Sequence, residues 1–148
     1  MFVDIIKYTD FDGNPQEEEV RLNLTKLECK ELDLKYESEG GIFKHLKNCI
    51  GDKKGNDIPQ KPMYDFLKEV VSLAYGKKSE DGRRFIKQDR NGNSLAYEFM
   101  DSSAYFSLME SLLSGERDIE KFILSVFPEV PEEDRKKAES DVKKELGV

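Results

Sequence analysis

The chain has 148 residues, enough for one domain with a sizeable hydrophobic core. Its formal net charge of −7 and isoelectric point near 4.9 argue against nucleic acid as a main partner, because binding phosphates needs a positive surface. No apolar run approaches the roughly 18 residues of a membrane span and the first residues lack a signal-peptide pattern, so we expect a cytoplasmic protein with no membrane partner.

The chain begins with two segments typical of β-strands. Phe2–Thr9 is rich in β-branched and aromatic residues, and residues 16–24 alternate between apolar and polar positions. Residues 10–15 between them (DFDGNP) are dense in turn formers. The sequence therefore predicts an antiparallel β-hairpin over residues 1–24. Its buried face should carry Val20, Leu22 and Leu24.

Two short helices are predicted next. Thr25 and Glu28 form a capping-box pattern, which satisfies free backbone amides at a helix start. The helix should continue to about residue 38, and residues 39–41 (EGG) should break it. Ile42–Ile50 follows as a second helix with apolar residues at helical spacing. The first helix should bury Leu27, Leu32 and Leu34.

A longer helix is predicted over residues 62–75, after a polar loop at residues 51–59. Gly76 is its predicted C-cap, residues 83–87 (RRFIK) could form a short extended segment, and residues 89–93 form a turn cluster. The apolar positions of the helix have the spacing of a core helix. They are Met63, Phe66, Leu67, Val70, Val71 and Ala74.

The pattern predicts three more helices before Pro128. Two cover residues 94–100 and 101–113, with Asp101 or Ser102 as the cap between them, and Asp118 caps the third. Several residues of the first two helices should face inward: Phe99, Tyr105, Leu108, Met109 and Leu112.

These elements place the chain in the α+β class, with an N-terminal antiparallel β-hairpin followed by a mostly helical region of five to six helices. We expect a single domain at residues 1–128, made of the hairpin (1–24) and the helical part (25–128). Residues 129–148 are strongly charged and have few apolar positions, so they predict a terminal helix that is weakly anchored or free in solution.

No pattern in the sequence points to catalysis, a cofactor or a metal. A calcium loop starting at Asp10 would place Pro15 where glycine is needed and Arg21 where a bidentate glutamate is needed. His45 is the sole histidine and is expected to be a surface or boundary side chain. Cys29 and Cys49 are expected to be free thiols. No glycine-rich phosphate loop is present. We therefore expect no enzyme, no cofactor and no metal site.

Two sets of residues are candidates for contact with a partner protein. The first is Arg83, Arg84, Phe85 and Lys87, a basic patch around apolar residues; its alternative role has Phe85 anchored in the core. The second is Tyr105, Phe106 and Met109, on a helix richer in large apolar groups than one face requires, with ordinary core packing as its alternative. The acidic residues 1–24 could receive the basic patch of another copy, which predicts a homo-oligomer.

The order of several short motifs resembles one protein family. The motifs are YTDFDGN at residues 8–14, LNLTK at 22–26, SEGGI at 38–42, AYGKKSEDGRRFIK at 74–87, and FI followed by FP at 122–128. Together they resemble the small tail assembly chaperones of long-tailed, siphovirus-type phages and prophages of Gram-positive bacteria.

The resemblance implies a binding role. Such proteins bind the tape measure protein, keep this long helical chain soluble, and help subunits of the major tail tube protein to assemble along it. They act in the host bacterial cytoplasm and are absent from the finished virion. In many relatives a programmed frameshift makes a longer product, for which the lysine pairs at 136–137 and 143–144 could be the site. The alternative is another phage adaptor, such as a head–tail completion or regulatory protein-binding module.

Overall fold

The structure is a computed structural model that describes residues 1–51 and 57–128. The predicted charged tail at 129–148, its lysine pairs and most of the predicted loop at 51–59 lie outside the described residues. Among the described residues, four strands and six α-helices confirm the α+β class and the N-terminal hairpin. The strands are β1 (Phe2–Thr9), β2 (Pro15–Leu22), β3 (Tyr75–Lys78) and β4 (Phe85–Ile86). The helices are α1 (Lys26–Lys35), α2 (Ile42–Ile50), α3 (Gln60–Ala74), α4 (Leu95–Met100), α5 (Ser103–Leu113) and α6 (Ile119–Val126).

The predicted hairpin is the first half of a four-stranded sheet ordered β1-β2-β3-β4. β1 and β2 pair antiparallel along their whole length, with Ile5 opposite Glu19. Their turn is closed by Asp10, whose carboxylate accepts the amides of Asp12 and Asn14 at 2.9 and 2.8 Å. The same five-residue turn recurs at Asp89. In both turns the carboxylate of the first aspartate accepts hydrogen bonds from backbone amides two and four residues later.

The second half of the sheet corrects the prediction for Gly76. This residue does not cap α3; it lies in β3, opposite Arg21 of β2. A Cβ atom at Gly76 would stand 2.6 Å from the Phe85 ring and 2.7 Å from the Ile86 carbonyl oxygen. Glycine is needed there because β4 approaches closely. The extended segment expected within 83–87 is confirmed as β4.

The helices cover one face of the sheet and bury a continuous apolar core. All six apolar residues predicted for α3 are buried, as are Val20, Leu22 and Leu24 of the hairpin region. The five residues predicted to face inward from α4 and α5 are buried as well. Helix α2 has the predicted bounds, and its Ile42, Leu46 and Ile50 are buried. The helical periodicity therefore identified the core of this region correctly.

Helix α1 contradicts part of the prediction. Its capping box is present, since Thr25 accepts the Glu28 amide at 3.1 Å and Glu28 accepts the Thr25 amide at 2.9 Å. Leu32 is buried, but Leu27 and Leu34 are 69% and 55% exposed. The side of the helix that carries Cys29 and Leu32 faces the core, and Tyr36 is the C-cap residue. The leucine stripe at 27 and 34 therefore faces outward.

Candidate functional site

A groove of about 420 Å³ runs between the start of α3 and one side of α5. One wall comes from Gln60 and Tyr64, and the other from α5 and the serine that follows it. The α5 wall comprises Tyr105, Phe106, Met109, Glu110, Leu113 and Ser114. The groove is lined largely by aromatic and aliphatic side chains, which is typical of surfaces that bind apolar partners. The structure thus places the three predicted residues Tyr105, Phe106 and Met109 along one groove.

The position of α5 follows from its cap and its apolar stripe. Ser102 caps the helix by accepting the Tyr105 amide at 3.3 Å. From there, residues at helical spacing enter the core, including the fully buried Ala104, Leu108 and Leu112. Phe106 points away from this stripe because adjacent helical residues are about 100° apart. Its side chain is 53% exposed, so the groove has an accessible aromatic rim.

Tyr105 holds an unpaired polar group beneath the surface of the groove. Its side chain is only 3% exposed, and its ring meets that of Phe99 edge to face at 5.8 Å. The hydroxyl has no hydrogen-bond partner among the described residues. Burial raises the pKa of this phenol, and the neighbouring Tyr64 raises it further, although the two hydroxyl groups do not meet hydrogen-bond geometry. A buried hydroxyl without a partner costs free energy in the folded chain.

The other predicted set lies elsewhere, on the β3–β4 hairpin. Arg83 and Arg84 are exposed, while Phe85 is half-buried against Gly76. The surface next to this set is lined by residues 84–88 and shares no residue with the groove. The structure therefore separates the two predicted sets into two surfaces.

Lys87 differs from the arginines because its ammonium group is engaged inside the chain. It donates to Glu28 at 2.6 Å and to the Leu73 carbonyl oxygen at 2.7 Å. Burial alone would raise the pKa of Glu28, but the bonds from Lys87 and the Thr25 amide outweigh it and hold that pKa below its usual range. Lys87 thus ties β4 to the start of α1 and the end of α3. Its predicted contact with a partner stays a prediction.

Sequence reasoning missed a polar cluster around His45. Its Nδ1 lies 2.5 Å from a Glu39 carboxylate oxygen, its Nε2 lies 3.6 Å from Cys49 Sγ, and its ring stacks on Tyr36 at 3.8 Å. The only signal in the sequence was the i, i+4 spacing of His45 and Cys49. Burial raises the pKa of Cys49 to about 11, so its thiol is protonated near neutral pH. A cysteine must be a thiolate to act as a nucleophile. The protonated Cys49 therefore serves as a packing group in this cluster.

Two further properties concern the described residues alone. None of their His, Cys, Asp and Glu side chains form a group of three or more that could hold a metal ion. None of their helices is both long and apolar enough to cross a membrane.

Comparison with known proteins gives one match. A family model described as phage tail assembly chaperone matches residues 1–146, nearly the whole chain. No curated protein and no solved structure matches.

Proposed function

The chain belongs to the phage tail assembly chaperone family, and from this premise we propose that it binds the tape measure protein through the groove between α3 and α5. Binding covers apolar helical segments of that protein and keeps it soluble while subunits of the major tail tube protein assemble along it. The proposed place of action is the host bacterial cytoplasm, with no role in the mature virion and no catalytic step.

The groove supports this proposal because it offers what an amphipathic helix needs. A helix docks in a groove by inserting apolar side chains spaced by three or four residues. The α5 wall extends from Tyr105 to Leu113, about 12 Å along the helix axis, or roughly two turns. Phe106 and Tyr64 provide exposed aromatic contacts of the kind that dominate binding energy at interfaces.

The single observation that carries the proposal is the exposed aromatic rim of this apolar groove, where Phe106 and Tyr64 are 53% and 37% exposed. Both side chains can contact apolar residues of a bound helix while the buried core stays in place. The charge of the chain adds a second property. A net charge of −7 keeps a complex with an apolar partner in solution through mutual repulsion between complexes.

Co-expression with the tape measure protein tests the proposal. Phe106→Glu places a charge on the groove rim, while Tyr97→Glu is the matched control because Tyr97 is a 70% exposed aromatic residue of α4 outside the groove. We expect the unmodified chain and Tyr97→Glu to keep the tape measure protein in the soluble fraction, and Phe106→Glu to lose most of this effect. Equal solubility with Phe106→Glu and the unmodified chain would refute the groove as the binding site.

A further inference from the structure

Helix α5 has a different surface on each of its two flanks. One flank forms a wall of the apolar groove, whereas the flank with Ser107 and Ser111 faces a second hollow of about 510 Å³. The opposite wall of this hollow comes from residues 5–7 of β1, and residues 116–117 lie at its end. The hollow therefore lies between α5 and an edge strand of the sheet, and polar side chains line much of it.

The groove and this hollow meet along a ridge on α5. The ridge consists of Phe106, Glu110 and Ser114, which follow one another at intervals of four residues and so lie in one row along the helix. Glu110 and Ser114 line both spaces. Phe106 and Glu110 are exposed and stand about 6 Å apart along the helix axis, roughly one turn. A helix bound in the groove would therefore have one flank beside Glu110.

The charges along the ridge and the hollow do not balance. The two cations there, Lys7 and Arg117, already pair with carboxylates of the β1–β2 hairpin, at 3.9 and 2.5 Å. The side chains of Glu110 and Glu116 are exposed, and neither makes an ion pair or hydrogen bond with any described residue. Two carboxylates are thus left uncompensated beside the groove, and this charge favours a cationic partner.

We propose that the groove, the ridge and the hollow together recognise a basic amphipathic helix. In the proposed function, on which this inference rests, a helical segment of the tape measure protein lies in the groove. Its apolar side chains enter the groove, and lysine or arginine side chains on its flank pair with Glu110 and Glu116. The two carboxylates select basic segments because they attract cations and repel a like charge placed next to them.

Fluorescence anisotropy with labelled peptides and the purified chain tests this preference. Two peptides of about 18 residues, or five helical turns, have the same leucines at helical spacing. One has lysines and the other glutamates at the flanking positions. We expect the lysine peptide to bind at least about tenfold more tightly at about 50 mM salt, and the preference to shrink at about 500 mM because exposed charges are screened. A lysine peptide with scrambled leucines should bind at least about tenfold more weakly, since it has no apolar face.

Charge reversal shows which carboxylates cause the preference. Glu110→Lys with Glu116→Lys should weaken binding of the lysine peptide at least about tenfold and strengthen binding of the glutamate peptide. Both residues are exposed, so the substitutions should leave the fold intact. The matched control is Glu31→Lys with Glu80→Lys, which makes the same change in net charge at two exposed carboxylates outside the groove and the hollow. This control should keep most of the preference of the unmodified chain.

Three results would overturn the proposal: equal affinities for the lysine and glutamate peptides, no binding of either peptide, or an equal loss of preference in both double variants. The last result would mean that net charge alone attracts basic peptides. The solubility test with Phe106→Glu depends on the groove and not on the charge of its occupant. Failure of the peptide preference is therefore separate from failure of the proposed function.

Discussion

Replacing Gly76 with alanine should destabilise the fold by overpacking the contact between β3 and β4. The added Cβ would lie 2.6 Å from the Phe85 ring and 2.7 Å from the Ile86 carbonyl oxygen, whereas ordinary contact begins near 3.4 Å. The neighbours must therefore retreat by roughly 0.8 Å. The Phe85 ring can move, but the Ile86 carbonyl belongs to backbone that pairs with Lys77.

The expected cost is about 1–3 kcal/mol, the usual range for one extra methyl group in a tight contact. For a chain of this length that corresponds to a fall in melting temperature of roughly 2–12 °C. Thermal unfolding followed by circular dichroism measures it, and urea unfolding gives the free energy directly.

An asparagine substitution at position 76 distinguishes two reasons for a glycine there, the close approach of β4 and the capping of helix α3. A left-handed C-cap tolerates asparagine, whereas a crowded position resists it more than alanine because asparagine is larger. Gly76→Asn should therefore be less stable than Gly76→Ala. Gly82 is the control: its φ is +73° and nothing lies near its Cβ position, so alanine should be less stable than asparagine there. If Gly76→Asn is at least as stable as Gly76→Ala, the close-approach explanation is wrong.

Three further substitutions test the burial, charge and groove assignments. Leu108→Ala should lower the free energy of unfolding by about 2–5 kcal/mol because Leu108 is fully buried. Leu27→Ala should lower it by less than about 0.5 kcal/mol because Leu27 is exposed. Urea unfolding measures both, and similar losses would contradict the outward position of Leu27. The pKa of Glu28 is lowered in the folded chain. The charged Glu28 therefore stabilises the fold above its ordinary pKa of 4.5, and this stabilisation is lost as the pH falls through the pKa of the folded chain. Glu28→Gln should therefore flatten the stability profile between about pH 5 and pH 3, and an unchanged profile would count against the Lys87 bond. Tyr105→Phe should leave the free chain as stable or slightly more stable in urea unfolding, since it removes an unpaired buried hydroxyl from beneath the groove. A clear loss of stability would show that the hydroxyl is paired.

The sequence correctly predicted those elements whose buried face follows from the spacing of apolar residues within the element itself. Helix α3 shows this, because six apolar residues at helical spacing leave only one face for the core. Helix α1 shows the limit: its leucines at 27, 32 and 34 do not define a single stripe, and contact with the rest of the fold turned Leu32 inward. Strand β3 has a sequence, YGKK, without alternation. It is a strand because it pairs with Arg21 of β2, more than fifty residues earlier, and with β4 on its other side.

The sequence indicated one wall of the candidate groove, the wall formed by α5. Tyr105, Phe106 and Met109 stood out as large apolar groups on one helix, but adjacent residues such as Tyr105 and Phe106 cannot share a direction. The structure buries the first and exposes the second. The opposite wall, Gln60 and Tyr64, comes from a helix about forty residues earlier, and periodicity along one helix cannot reveal such a neighbour.

Photo-crosslinking in cells tests the central claim most directly. Benzoylphenylalanine replaces the aromatic residue Phe106 in one variant and Tyr97 in another, and both are expressed with the tape measure protein and irradiated. Our account predicts a crosslink to the tape measure protein from position 106 and none from position 97, because only the first lies on the groove. A crosslink from position 97 with none from position 106 would contradict it.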